Sequence, residues 1–175
     1  MQDYVEKAIR TESIPEKINV NIRLLHASLG IITESIELLE NKYSKDLINY
    51  KEEIGDICWY IAILCNEFNV EFEFNYNIIK SEIESDILIE KLIHNAGALL
   101  NQIKRKIYYN KDFQVNSYIE ILLNDIFLIS TSLNLNIEEI LIGNIEKLKC
   151  RYPDKYNHDC AINRNIESEL QALEL

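Results

Sequence analysis

Apolar residues recur at three- and four-residue intervals through most of this chain, the period of helices that bury one face. From 17 to 41 the series is Ile18, Ile22, Leu25, Leu29, Ile32, Ile36 and Leu39, which predicts a first long helix. Asn41-Lys42-Tyr43-Ser44 makes a connection, and a second helix follows over 46–68 with Ile54, Ile57, Ile61 and Leu64 on its inner stripe. A link that short makes the two helices antiparallel neighbours. Ahead of them, residues 1–12 predict a short leading helix, then a break at Thr11–Pro15 with a restart at Pro15 or Glu16. Beyond them, 66–77 is expected as a core-covering linker punctuated by Phe68, Phe72, Phe74 and Tyr76. Further helices are expected from 79 or 82 to 109, with an irregularity near Asn95-Ala96-Gly97, from 115 or 116 to 133, and over 137–149. After Arg151-Tyr152-Pro153 the chain reads as irregular until a closing helix over 159–173. The expectation is an all-α antiparallel helical bundle, one domain spanning 1–175 with its core in 17–153.

Composition agrees with that class. Of 175 residues 47% are apolar, but only 4 are Gly and 2 Pro, so tight turns are few. A net charge of −11 argues against nucleic acid or an anionic membrane as a partner, since the mean field repels both. A small anionic substrate stays compatible if a metal and local basic groups reverse the sign at its site. Acids in Met1–Lys7, where a secretory signal is basic, together with the lack of a spanning apolar run, lead us to expect a cytoplasmic protein. Cysteines 58, 65, 150 and 160 have no CxxC spacing, and Cys58 and Cys65, seven apart, read as buried thiols.

Chemistry concentrates in two runs on the first two long helices. Glu34 and Glu37 are three apart, as are Glu53 and Asp56, so each pair shares a helical face. If the hairpin turns those faces together, four carboxylates meet and require a cation. An all-oxygen set without histidine suits Mg²⁺ or Mn²⁺ and not zinc or copper, and it lacks the Glu-x-x-His pairs of di-iron bundles. Such an ion neutralises polyphosphate charge and lowers the pKa of a bound water, which supplies the nucleophile for phosphoanhydride hydrolysis. In a chain with 29 acids the same pairs also fit a solvated helix face. Glu52 is a candidate fifth acid, but it is turned about a hundred degrees from the Glu53/Asp56 face and reads first as solvated surface, as does Glu40. Gly30 and Gly55, interior to these helices, fit either a close approach of backbone or ligand, or ordinary helix packing.

With those residues in place, the chain resembles the all-α nucleoside triphosphate pyrophosphohydrolases, and among them the MazG-like proteins. Their ExxE and ExxD helices are matched by Glu34-Ser35-Ile36-Glu37 and Glu53-Ile54-Gly55-Asp56. Leu25-His26-Ala27-Ser28-Leu29-Gly30 and Gly55-Asp56-Ile57-Cys58-Trp59-Tyr60 agree around them. A third block, Gly143–Pro153 followed by Arg164 and Glu169, is similar to the NxxKLxxRYP ending of many members; the stretch from 70 to 135 matches only loosely.

The resemblance implies Mg²⁺-dependent hydrolysis of a (deoxy)nucleoside triphosphate to monophosphate and pyrophosphate. Glu34, Glu37, Glu53 and Asp56 would be the metal-binding and catalytic acids, with metal-activated water as nucleophile. Lys147 and Arg151, four apart, would add positive charge for the phosphates, and Asn144 a bond to sugar or phosphate; apart from the resemblance they fit a solvated basic helix end. His26 would reach base or sugar or else be an ordinary core or surface histidine, Tyr152 would stack on a base or anchor the turn before Pro153, and Trp59 reads as core or as pocket wall. A dUTP- or phosphoribosyl-ATP-directed hydrolase of the same superfamily is the neighbouring expectation, and a non-catalytic helical interaction module the expectation from another class. An apolar back on the hairpin, with the family's habit of assembly, predicts a homo-oligomer, dimer or tetramer.

Overall fold

A computed structural model describes residues 2–15, 17–77 and 83–174. Among them the chain is all-α, with eight helices: α1 Gln2–Ile9, α2 Ile22–Glu40, α3 Leu47–Phe68, α4 Ser85–Tyr109, α5 Val115–Ser132, α6 Ile137–Arg151, α7 His158–Ile162 and α8 Ile166–Leu173. No single helix among the described residues is long and apolar enough to cross a membrane.

The hub is α3, which packs against α2, α5, α6 and α8, while α4 lies across α2 and α5. Its Ile54, Ile57, Ile61 and Leu64 are fully buried, as the periodicity predicts. They meet Ala27, Ile31 and Leu38 of α2, with Leu92 and Leu99 of α4 and Ile119 and Ile126 of α5 completing the same core. At roughly 1.5–3 kcal/mol per buried aliphatic side chain, this cluster is what holds the helices together.

On α2 the buried face is not the long apolar series. Leu24, Ala27, Ile31 and Leu38 point inward, whereas Ile22, Leu29 and Ile36 are exposed. The series sits about 120° around the helix from the core face, and only Leu25, Ile32 and Leu39 on its near edge are half-buried.

Caps set the boundaries. Asn21 accepts hydrogen bonds from the Arg23 and Leu24 backbone, which starts α2 at Ile22 and not at 17. Residues 12–15 and 17–21 are not helical, so no restart occurs at Pro15, and Glu16 lies outside the described residues. Arg23 at the head of α2 also binds Glu67 at the tail of α3 at 2.6 Å, so the two helices run antiparallel. Between them the buried Asn41 donates to the Asp46 carbonyl at 2.8 Å and accepts from Ser44, tying the turn together. Where glycine commonly ends a helix in the left-handed region, this chain uses asparagine, at Asn69 and Asn110.

Two expectations change further along. α4 is continuous through Asn95-Ala96-Gly97, since Asn95 turns its amide to the buried Asp125 of α5 and leaves the helix intact; the 79–82 start lies outside the described residues. The expected 159–173 helix is two helices. Asn163 ends α7, and the Asn165 side chain caps Ser168 to begin α8, so Asn-Arg-Asn breaks the helix and swings Arg164 back toward α3.

Candidate metal centre

The antiparallel hairpin brings Glu34 and Glu37 of α2 against Glu53 of α3. One carboxylate oxygen from each lies within 4.8 Å of the other two. Glu37 is exposed, Glu34 half-buried, and Glu53 only 6% exposed. No cationic side chain pairs with Glu53 among the described residues. Burial, then the charges of Glu37 and Glu34, push the Glu53 carboxyl up to about 9, and burial with Glu37 also raises Glu34. A hard divalent cation fits this donor set: three convergent oxygens, one of them buried and without counter-charge.

Asp56, one turn beyond Glu53, faces elsewhere. The Lys147 ammonium of α6 lies 2.6 Å from both of its oxygens, and Asn144 donates to Oδ1 at 2.7 Å. Lys147 is wholly enclosed, and its third donor reaches Glu52 at 3.3 Å. Glu52 is therefore a half-buried member of the charged cluster and not solvated surface, with Arg164 3.9 Å from the same oxygen that Lys147 meets. Glycine makes this approach possible. A Cβ at Gly55 would sit 2.9 Å from the Asn144 side chain, so α6 reaches Asp56 only because residue 55 has none. Gly30 likewise leaves room for the Tyr60 ring directly on α2.

The remaining residues expected at the site divide. Arg151 is not aimed at the acids: its Nε bonds both oxygens of the buried Glu169 of α8 at 3.1 Å, and Arg164 joins the same carboxylate at 2.6 Å. Those two guanidiniums hold Glu169 down to about 2, against the penalty of its burial. Tyr152 packs on Tyr156 with ring centres 5.5 Å apart and lies under Arg151, as a turn anchor does. His26 is exposed and meets Tyr60 and Trp59 edge-on at 5.5 and 6.4 Å. Trp59, expected as core or pocket wall, is 38% exposed on this cluster. Tyr60 is close enough to Glu34 and Asp56 that burial and their charges raise its phenol, which stays a donor.

No protein-family model, curated protein or solved structure matches this chain. The acids on α2 and α3 were visible as spaced pairs, and Lys147 and Asn144 as members of a third block. Glu52 and Arg164 were missed as site residues, because only the α7–α8 turn brings them together.

On the opposite flank of the acids a cavity of about 410 Å³ opens toward the hairpin turn, lined by Glu37, Glu40, Asn41, Ser44, Asn49 and Glu53. Polar groups line it throughout. The acid cluster therefore lies between an amide-lined recess on one side and the aromatic cluster of His26, Trp59 and Tyr60 on the other.

Proposed function

We propose that this chain is a Mg²⁺-dependent nucleoside triphosphate pyrophosphohydrolase of the MazG-like kind, releasing a nucleoside monophosphate and pyrophosphate. The observation that supports it most is Glu53, a carboxyl enclosed by two other acids with no cationic partner among the described residues. Left to itself such a carboxyl keeps its proton, and a bound cation supplies the charge that lets it ionise.

Glu34, Glu37 and Glu53 would hold the ion, with Asp56 beside them as the fourth acid. When bound, a divalent ion supplies charge neutralisation on the phosphoanhydride and an activated water. The chain's own residues do the rest. Lys147 and Arg164 offer positive charge within reach of the acids, while Asn144 orients Asp56. Arg151 acts through Glu169 of α8, the carboxylate that also holds Arg164 in the turn between α7 and α8. Eight residues separate His26 from Glu34, about 12 Å of helix, so a nucleotide with its phosphates at the acids would lay its base on His26 and Trp59.

The test is direct. Purified protein incubated with a panel of NTPs, dNTPs and phosphoribosyl-ATP, with and without Mg²⁺, should release pyrophosphate from at least one nucleotide only when the metal is present. Glu37→Gln and Asp56→Asn should each remove nearly all turnover with the fold kept, as circular dichroism would show. No pyrophosphate from any nucleotide would favour the helical interaction module, and turnover confined to dUTP or phosphoribosyl-ATP the neighbouring hydrolases.

A further inference from the structure

We propose that Asp56 stands outside the shell of the resident divalent ion, and that Lys147 gives it up only when a polyphosphate arrives to take the ammonium. The inference rests on the metal-dependent reading above and divides the four acids into two functional classes.

The three glutamates and Asp56 differ in what already occupies them. Both oxygens of Asp56 are held at 2.6 Å by Lys147, and Asn144 adds a bond at 2.7 Å. Lys147 in turn has spent all three of its donors, two on Asp56 and one on Glu52, inside a pocket that leaves none of its side chain exposed. A buried ammonium stripped of its main carboxylate is costly, so a cation approaching Asp56 meets both a competitor and a repelling charge. Among the described residues no cationic side chain pairs with Glu34, Glu37 or Glu53. An ion entering the free protein therefore settles on the three glutamates.

A polyphosphate changes the balance. It brings several anionic oxygens to the rim beside Glu52 and Arg164, and the flexible lysine stem lets the ammonium move from carboxylate to phosphate. Asp56 is then released for cation binding only in the substrate complex. Metal affinity at this acid and polyphosphate affinity become coupled through one ammonium, and by linkage each strengthens the other.

Mn²⁺, counted by electron paramagnetic resonance as a stand-in for Mg²⁺, tests this without turnover. With Mn²⁺ alone, the wild-type chain should bind one ion. Asp56→Asn should hold that ion within about threefold of wild type, and Glu53→Gln should weaken it by about tenfold or more. Lys147→Met should expose Asp56 and admit a second Mn²⁺ without any phosphate. With inorganic tripolyphosphate added, wild type should take up more Mn²⁺ than Asp56→Asn does. The proposal is overturned if Asp56→Asn weakens the first ion as much as Glu53→Gln, or if folded Lys147→Met binds Mn²⁺ as wild type does. Should either variant not fold, the wild-type chain alone decides: tripolyphosphate that adds no Mn²⁺ to the first protein-bound ion overturns the proposal. Absence of any Mn²⁺ binding by the wild-type chain would instead remove the metal-dependent reading, and this inference with it.

Discussion

Glu53 links the candidate chemistry to stability. Its carboxyl is pushed from 4.5 up to about 9 in the fold, so the folded state holds a proton that the unfolded chain gives up earlier. Stability from this group is fully present below the unfolded value and is lost as pH rises through the folded one. Metal-free protein should therefore melt several degrees lower at pH 9 than at pH 6 when followed in EDTA. Millimolar Mg²⁺ should restore most of that loss, because a ligand that binds only the native state stabilises it by mass action. Glu53→Gln should abolish both the pH dependence and the Mg²⁺ effect. A flat melting temperature across that range in wild type would count against the buried acid cluster. Part of this was legible in single residues: the three-residue spacing of the acids on consecutive helices brings Glu34 and Glu37 to Glu53 once the hairpin closes, though not to Asp56. What Asp56 does was not legible, because its partners lie on α6, 88 and 91 positions away, and only packing decides that Lys147 and not solvent meets it.

The glycines separate packing from propensity among the helices. At Gly97 a Cβ would meet nothing within 4 Å, so Gly97→Ala should stabilise by roughly 0.5–1 kcal/mol through the helix backbone alone. At Gly30 the same atom would fall within the Tyr60 ring. Gly30→Ala should destabilise by about 1–3 kcal/mol less that gain and displace Tyr60, which chemical denaturation and tyrosine fluorescence would report. Opposite signs at two glycines of similar helical context are the check. Glu169→Gln, which leaves Arg151 and Arg164 without their shared charge, should cost roughly 2 kcal/mol, part of the full penalty being screened at the half-exposed Arg164. Helix type was readable throughout from periodicity, and α3, α5 and α6 fall close to their expected spans. The misses were at ends and interruptions. Asn21, Asn69, Asn110, Asn163 and Asn165 cap or break helices here, in a chain with too few glycines and prolines to mark those places in the usual way.

At the scale of the whole molecule, one face is unaccounted for by the core. Ile22, Leu29 and Ile36 repeat every seven residues along α2 and are 73%, 48% and 44% exposed, a spacing that suits a helix seam. Sedimentation at micromolar concentration should give a mass above the 20.5 kDa of one chain, and Ile36→Glu should shift it to monomer with the melting temperature of the isolated chain little changed. Only monomer in wild type would show that this row covers nothing. The periodicity that announced α2 was thus real but misleading about direction, because a helix with two apolar faces shows a single strong series and does not say which face meets the core.

The cations of the charged cluster come from residues 147–164, and its acids, Glu169 apart, from residues 34–56. A ribosome extrudes the acids long before the ammonium that will cover one of them. During that interval the nascent chain leaves open to cations a carboxylate that the finished protein shuts away, so the order of synthesis and the order of metal loading need not agree.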